Sequence, residues 1–412
     1  MTNTRYRPRL IDPLIAELLG ELPAVMVTGP RATGKTTTAQ RHAATVIRLD
    51  RPAEAAAFRA DPDAALAELE EPVLLDEWQE VPEILGAVKR AVDDDPRPGR
   101  FLLTGSVRAD LEAATWPGTG RLVRIPMYGM SVREQEGDLR ARPFLDRLAS
   151  GDRLTVPSQR SDLRGYVRLA LLSGFPEPIL RMGPQARVRW LDGYVEQLLT
   201  RDAAGIGPGR DPARLRRYFE AYALNTAGMV ADATLYEAAG VNRKTAIAYE
   251  QLLTNLFIVE ALPAWTSNRL RRLALRAKRY LIDPALAATV LRLEPSTVLR
   301  DGDVLGRLLD TFVVAQLRSE LAVCESRPRL FHLRDEHGRH EIDIVAELGG
   351  ANLIAFEVKA DAAPDRDSGR HLAWLRDRLG KRFVRGAIFH TGPRQFEVDD
   401  RIVAVPICAL WG

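Results

Sequence analysis

The sequence predicts an α/β protein: a parallel sheet wrapped by helices, then a helix-rich stretch, then a second α/β unit. Three observations carry this prediction. Short apolar runs alternate with helical segments over residues 1–135, the pattern of a parallel sheet covered on its faces. Residues 136–293 hold helical apolar spacing with few strand candidates. From residue 300 strands and helices alternate again.

The chain has 412 residues, too many for a single core, and its 46% hydrophobic and 27% charged composition is that of a folded globular protein. A formal net charge of +3 selects no class of partner, so any nucleic-acid argument rests on local clusters. Cys324 and Cys408 are too few and too far apart for a disulfide framework or a zinc site. No apolar run approaches the length of a membrane span, and Asp12 and Glu17 interrupt the only stretch that resembles a leader. A cytoplasmic protein with no membrane segment is expected.

The first strand, 22–28, runs into Gly29-Pro30-Arg31-Ala32-Thr33-Gly34-Lys35-Thr36, with Thr37 continuing into a helix. Gly29, four residues, then Gly34-Lys35-Thr36 fits the GxxxxGK[ST] phosphate-binding loop. The glycines let successive N–H groups turn towards phosphate oxygens, and the helix start adds the positive end of its dipole. Lys35 is expected to reach the β- and γ-phosphates of ATP, and the Thr36 hydroxyl to ligate Mg2+. Further strands are expected at 44–49, 73–75, 101–103 and 122–125, with helices at 53–69 and 82–92. The third strand ends in Asp76 and Glu77, two acids at the edge where the loop opens. Asp76 is expected in the Mg2+ shell and Glu77 to orient or deprotonate the attacking water. Thr104 and Ser106, at the tip of the next strand, are candidates to sense the γ-phosphate. Asp50 either touches the site or caps the following helix.

Residues 136–165 are polar and arginine-rich and read as a connector, within a linker and helical region spanning 136–212. Helical spacing returns at 166–172 and 188–199, separated by Ser173-Gly-Phe-Pro-Glu-Pro178, and glycines and prolines break the chain at 203–212. Residues 213–293 read as a winged helix: helices at 215–224, 232–239 and 243–256, a turn at Gly240-Val-Asn242, and strands at 257–261 and 279–282. Arg269, Arg271, Arg272, Arg276, Lys278 and Arg279 crowd the wing without an acid between them. Such a wing either lies along nucleic-acid phosphates or is a solvated or protein-packing loop.

The last region, 300–412, opens with an amphipathic helix at 304–320. Strands follow at 329–334, 342–347, 353–359, 386–390 and 402–406, with a helix at 367–379. A three-residue loop at Gly349-Gly-Ala351 sets Leu348 opposite Asn352, and therefore Asp343 opposite Glu357 and Glu341 opposite Lys359. One Mg2+ between Asp343 and Glu357, with Lys359 steering a water, is the arrangement of a metal-dependent phosphodiesterase and fits the PD-(D/E)xK signature. The other reading is a solvent-facing hairpin with a Glu341–Lys359 ion pair. His337 and His340 decorate the preceding turn or serve as metal ligands.

Taken together, Gly29-Pro-Arg-Ala-Thr-Gly-Lys-Thr36, Leu75-Asp-Glu-Trp-Gln79, Leu103-Thr-Gly-Ser106, Ser173-Gly-Phe-Pro-Glu177, Tyr280-Leu-Ile-Asp283, Glu341-Ile-Asp343, Glu357-Val-Lys359 and the terminal Val405-Pro-Ile-Cys-Ala-Leu-Trp411 resemble the AAA-type ATPases that carry a DUF4143 C-terminal region. The resemblance implies a P-loop NTPase domain of AAA type, a winged helix, and a restriction-endonuclease-like C-terminal domain. It also implies that Arg121, in Gly120-Arg121, senses or stabilises the γ-phosphate within the chain or across a subunit contact in a homo-oligomer. The sequence departs from the family's LFE…EL pattern, reading Leu309-Asp310 and Gln316-Leu317, which removes acids from a nuclease-type site. The expected function is a regulatory, ATP-hydrolysing protein associated with nucleic acid, with a nuclease-like domain. The alternative is a nucleotide-gated switch that acts on protein or DNA partners without cutting.

Overall fold

In the computed structural model, residues 6–107, 120–136, 139–202, 211–272, 275–335 and 338–412 are described. The chain divides into two compact units, Met1–Met130 with Thr254–Phe257, and Ser131–Leu253 with Ile258–Gly412. Among the described residues no helix is long and apolar enough to cross a membrane.

The first unit is built on five parallel strands: β1 Ala24–Thr28, β2 Thr45–Arg48, β3 Val73–Asp76, β4 Phe101–Gly105 and β5 Leu122–Pro126, in the order β2-β3-β4-β1-β5. The central strands are apolar because both their faces are covered; Val73, Leu74, Leu75, Leu102 and Leu103 are fully buried. The Ile84–Asp94 helix turns Ile84, Leu85, Val88 and Val92 towards the core at helical spacing, where they join Phe58, Trp78 and Phe101. This is the P-loop NTPase fold anticipated from the alternation of elements. Asp50 caps nothing: it pairs with Arg48 at 3.8 Å, while Arg51 leads the next helix without a side-chain cap.

Further along the chain the helices Pro212–Leu224, Asp232–Ala238 and Arg243–Asn255 are followed by an antiparallel ribbon of β6 Val259–Leu262 and β7 Lys278–Leu281, which belongs to the second unit. A 19-residue helix, Gly302–Glu320, comes next, its first turn capped by the Asp301 carboxylate. It packs on a six-stranded mixed sheet, β12-β13-β11-β10-β9-β8, whose strands are β8 Arg329–Arg334, β9 Glu341–Glu347, β10 Leu353–Val358, β11 Phe383–His390, β12 Phe396–Asp399 and β13 Ile402–Pro406. The β9–β10 hairpin has the register that a three-residue loop dictates, from Glu347↔Leu353 to Ile344↔Phe356, closed by the Leu348 N–H to Asn352 carbonyl bond of 2.8 Å.

One core cluster joins Phe144, Tyr166, Tyr280, Phe312, Phe356 and Trp411, so segments expected as separate regions share an interior. The stretch expected as a loose connector is part of it. Phe144–Ser150 is a helix with Phe144, Leu145 and Leu148 buried, and its buried Asp146 accepts from the Glu325 and Ser326 N–H groups at 2.9 and 3.1 Å. Apolar residues outweigh that stretch's polar composition because its charges find buried partners.

Two motifs far apart in sequence meet at Asp283. Its carboxylate accepts from the Ser173 hydroxyl and the Gly174 N–H, both at 2.7 Å, and from the Ala285 N–H at 2.8 Å. Burial pushes its pKa up, and these donors oppose the shift. Asp283→Ala leaves three donors without their acceptor and should cost about 3 kcal/mol of stability. The measurement is the denaturant midpoint of the full chain; a midpoint unchanged from wild type would remove this bridge from the account of the fold.

Candidate functional site

Parallel pairing sends the carboxyl ends of β1, β3 and β4 to one edge, and the polar residues gather there. The loop leaving β1 turns at Gly29 (φ 155°), where an added Cβ would lie 2.0 Å from the Met127 carbonyl oxygen, so only glycine fits. Ala32 (φ 61°) and Gly34 (φ 90°) take left-handed conformations, and the helix Lys35–Ala39 begins immediately after. Thr33 is buried and its hydroxyl donates to the Pro30 carbonyl at 2.9 Å; Arg31 lies part-buried and Thr37 faces solvent. The Lys35 ammonium, only 4% exposed, donates to the Gly29 and Pro30 carbonyls at 3.0 and 2.7 Å. Burial lowers its pKa to about 8, and the charges of Glu77 and Asp76 oppose that shift.

Asp76 receives the Thr36 hydroxyl at 2.7 Å and the Thr104 hydroxyl at 2.5 Å, both on Oδ1. Its buried Oδ2 has no hydrogen-bond partner among the described residues; the Arg48 guanidinium is 3.6 Å away. Burial raises the carboxyl pKa, which the two hydroxyls oppose. Glu77 sits at φ 55°, a left-handed conformation that costs a non-glycine residue of order 1 kcal/mol and re-aims its side chain. Its Oε2 accepts from the Ser106 hydroxyl at 3.0 Å and from the Gln79 amide, and its N–H donates to Thr104 at 3.3 Å. Thr104 and Ser106, read as phosphate sensors, thus hydrogen-bond the two acids. Gln79 was given no role by sequence reading, although its place two residues after Glu77 is the signal that points to it.

Arg121 requires a correction. The β1–β5 register pairs Ala24 with Leu122, so Arg121 lies at the amino edge of the sheet, whereas the loop leaves β1 at the carboxyl edge. Four residue steps at roughly 3.3 Å each separate the edges, and the guanidinium turns to Asp93 at the end of the Ile84–Asp94 helix. It cannot serve a phosphate held by the loop of its own chain. A different arginine does touch the loop. Arg9 is buried and donates to the Thr33 carbonyl at 2.8 Å and the Tyr128 carbonyl at 2.9 Å. In a planar trans peptide the following N–H points opposite to the carbonyl, so this bond turns the Gly34 N–H away from Arg9. Nothing in the N-terminal sequence marked it.

The second constellation lies in the other unit. The paired register ends at Ile344↔Phe356, one step short of Asp343 and Glu357, and lysine ammoniums hold both carboxylates. Lys278, from β7, donates to Asp343 Oδ1 at 2.9 Å and to Asp310 Oδ2 at 2.5 Å; Lys359 donates to Glu357 Oε2 at 2.9 Å. Among the described residues no group of three or more His, Cys, Asp or Glu is arranged for a metal. The expected Mg2+ at Asp343 and Glu357 therefore does not fit these donors. His340 stacks on Trp374 at 4.0 Å and meets His371 at 3.3 Å; His337 lies outside the described residues.

Part of the basic wing is neutralised in the same way. Arg272 forms two 2.8 Å bonds to Glu347, Lys278 is buried between two aspartates, and Arg279 is held by Asp232, by Glu250 at 3.3 Å and by the Val230 carbonyl at 3.0 Å. Arg276 is exposed and donates to the Met229 carbonyl at 3.1 Å, and Arg271 is exposed on the short helix Arg269–Arg272; the Arg269 side chain lies outside the description. A run without acids in sequence is thus matched by acids brought from elsewhere.

Burial, and next the Asp343 charge, push Glu357 up from 4.5 to about 8, against the pull of Lys359. A carboxyl whose folded pKa is raised favours folding while protonated; that stability is complete below about pH 4.5 and lost as pH rises through 8. Glu357→Gln fixes the neutral form. Denaturation midpoints of variant and wild type should therefore diverge between pH 5 and 9, with the variant the more stable at the alkaline end. Parallel curves would contradict the shift.

Residues 21–136 match a family model described as an AAA domain, residues 305–410 the domain of unknown function DUF4143, and residues 163–297 the domain of unknown function DUF8612. Uncharacterised proteins of Mycobacterium bovis and Mycobacterium tuberculosis are each 28% identical over 393 residues, covering 94% of this chain and 81% of theirs. Among solved structures, a Walker-type ATPase of Pyrococcus abyssi aligns with a TM-score of 0.43 and 15% identity, over 71% of this chain and 99% of that one. With the glycine loop, the two acids and the parallel sheet already in place, residues 21–136 are an AAA domain and residues 305–410 a DUF4143 region.

Proposed function

We propose that the chain is an ATPase whose first unit binds ATP in the loop 29–37 and hydrolyses it with Glu77. The observation that carries this reading is the convergence of Lys35, Thr36, Asp76 and Glu77 on one sheet edge, linked by the Thr36–Asp76 bond of 2.7 Å. The loop N–H groups and the helix start receive the phosphates, and Lys35 exchanges its two loop carbonyls for phosphate oxygens. The unpartnered Oδ2 of Asp76 and the adjacent Thr36 hydroxyl suit a hard divalent ion. Thr36 and Asp76 would hold Mg2+, which supplies positive charge against the β- and γ-phosphates. Glu77 takes the proton of the attacking water, with Ser106 and Gln79 fixing its carboxylate.

A second reading, binding without turnover, is favoured by the two donors on Glu77 Oε2, which occupy an oxygen that would otherwise face the attacking water. Association with nucleic acid rests on Arg271 and Arg276, the exposed members of the basic run. Comparing ATP turnover with and without duplex DNA tests that association.

Lys35→Ala should abolish ATP binding in calorimetry, whereas Glu77→Gln should retain binding and slow hydrolysis by about 10²–10⁴-fold. Unchanged affinity in the first variant would refute the loop assignment. A wild-type rate no faster than Glu77→Gln would favour the switch.

Arg9→Ala should weaken ATP binding about tenfold, since a charge-assisted bond of this kind contributes roughly 1.5 kcal/mol or more. Arg9→Lys should recover part of the loss while the circular dichroism stays native. Equal affinity in all three proteins would leave Arg9 a structural residue only.

A further inference from the structure

The carboxylates that a nuclease-like reading assigns to a metal already have a cation among them, and it belongs to the chain. Lys278 is 3% exposed. Its strand, β7, presents Lys278 and Tyr280 on one face, as residues two apart must be. Together they reach Asp310 on the Gly302–Glu320 helix: Lys278 donates to Oδ2 at 2.5 Å and Tyr280 to Oδ1 at 3.0 Å. Lys278 also donates to Asp343 Oδ1 at 2.9 Å, and the Val358 N–H takes Asp343 Oδ2 at 3.0 Å. All four oxygens of Asp310 and Asp343 are therefore engaged by protein donors. Of the facing Glu357, Oε2 is held by Lys359, while the buried Oε1 has no hydrogen-bond partner among the described residues.

Mg2+ requires oxygen ligands in near-octahedral geometry at roughly 2.0–2.1 Å. An oxygen already accepting from an ammonium is a weaker ligand for a second cation, because the two like charges repel at that range. The place between Asp310 and Asp343 holds one positive centre, and Lys278 is that centre.

We propose that Lys278 replaces a divalent metal in the C-terminal domain, closing its carboxylate site to Mg2+ and fastening the β6–β7 ribbon to the sheet and the Gly302–Glu320 helix. Two further ionic ties join the same elements. Arg272, in the segment between the ribbon strands, grips Glu347 of β9 with two bonds, and Arg318 of the long helix lies 3.6 Å from Glu260 of β6. Ion pairs thus fasten the ribbon and its connecting segment in both senses, with cations on the ribbon side at Lys278 and Arg272 and a carboxylate on it at Glu260.

The test uses nucleotide-free full-length protein and Mn2+ as the probe, with free Mn2+ followed by electron paramagnetic resonance. Wild type and Asp343→Asn should bind the same amount of Mn2+, since Asp343 offers the ion nothing. Lys278→Met keeps the side-chain length and removes the charge; it should gain one Mn2+ site, which adding Asp343→Asn abolishes. Mn2+ binding by wild type that Asp343→Asn removes overturns the proposal, as does a folded Lys278→Met protein that gains no site. Should Lys278→Met fail to fold, adding Asp310→Asn removes one of the two counter-charges. Recovered folding then supports the fastener, and continued failure overturns it.

Discussion

The first unit depends on one constraint: every strand of its sheet runs the same way. Parallel pairing of β1 with β4 and of β3 with β4 makes the ends of three strands neighbours. Residues 29, 76 and 104 can then share one site although more than seventy positions separate them in sequence. The same constraint excludes Arg121, since a residue that precedes a parallel strand lies at the opposite edge from a loop that follows one. Topology, more than residue type, decides which polar side chains can work together.

Charge burial organises the second unit. Arg133 with Glu320, and Lys278 with Asp310 and Asp343, place ammonium and guanidinium groups in the interior, where an unpaired charge is prohibitive. Burial alone would depress Lys278, yet Asp310 and Asp343 hold its pKa well above the ordinary lysine value. Asp310 shows the opposing pull: burial lifts it to about 6 although Lys278 works against the rise. Such pairs define geometry sharply, because each member is tolerated only while its partner is in place.

Features encoded locally were legible in the sequence. The phosphate loop needs glycines and a lysine at fixed spacing, the strands need unbroken apolar runs, and a hairpin register follows from its loop length alone; Leu348 faces Asn352 as the count requires. What sequence reading missed depends on partners remote in the chain. Arg9 meets Thr33 and Tyr128, Gln79 meets Ser106 and Glu77, and Lys278 meets Asp310 and Asp343. Each is an ordinary residue at an ordinary position until tertiary contact gives it a task. Residues 136–165 differ from the expected connector for a related reason: Asp146 and Arg147 suggest solvent only while the Ser326 N–H and the Ala409 carbonyl are out of sight.

The basic run around the ribbon shows how far this reaches. Counted along the chain, Arg272, Arg276, Lys278 and Arg279 form a positive cluster that invites a polyanion. Counted in space, Arg272 answers Glu347, Lys278 answers Asp310 and Asp343, and Arg279 answers Asp232 and Glu250. A phosphate backbone is attracted by charge that the protein has left unneutralised, because neutralised pairs release few counterions on binding. The sign of a sequence cluster therefore says little about a partner until the internal acids have been subtracted. Here the subtraction removes Arg272, Lys278 and Arg279 and leaves Arg271 and Arg276 exposed.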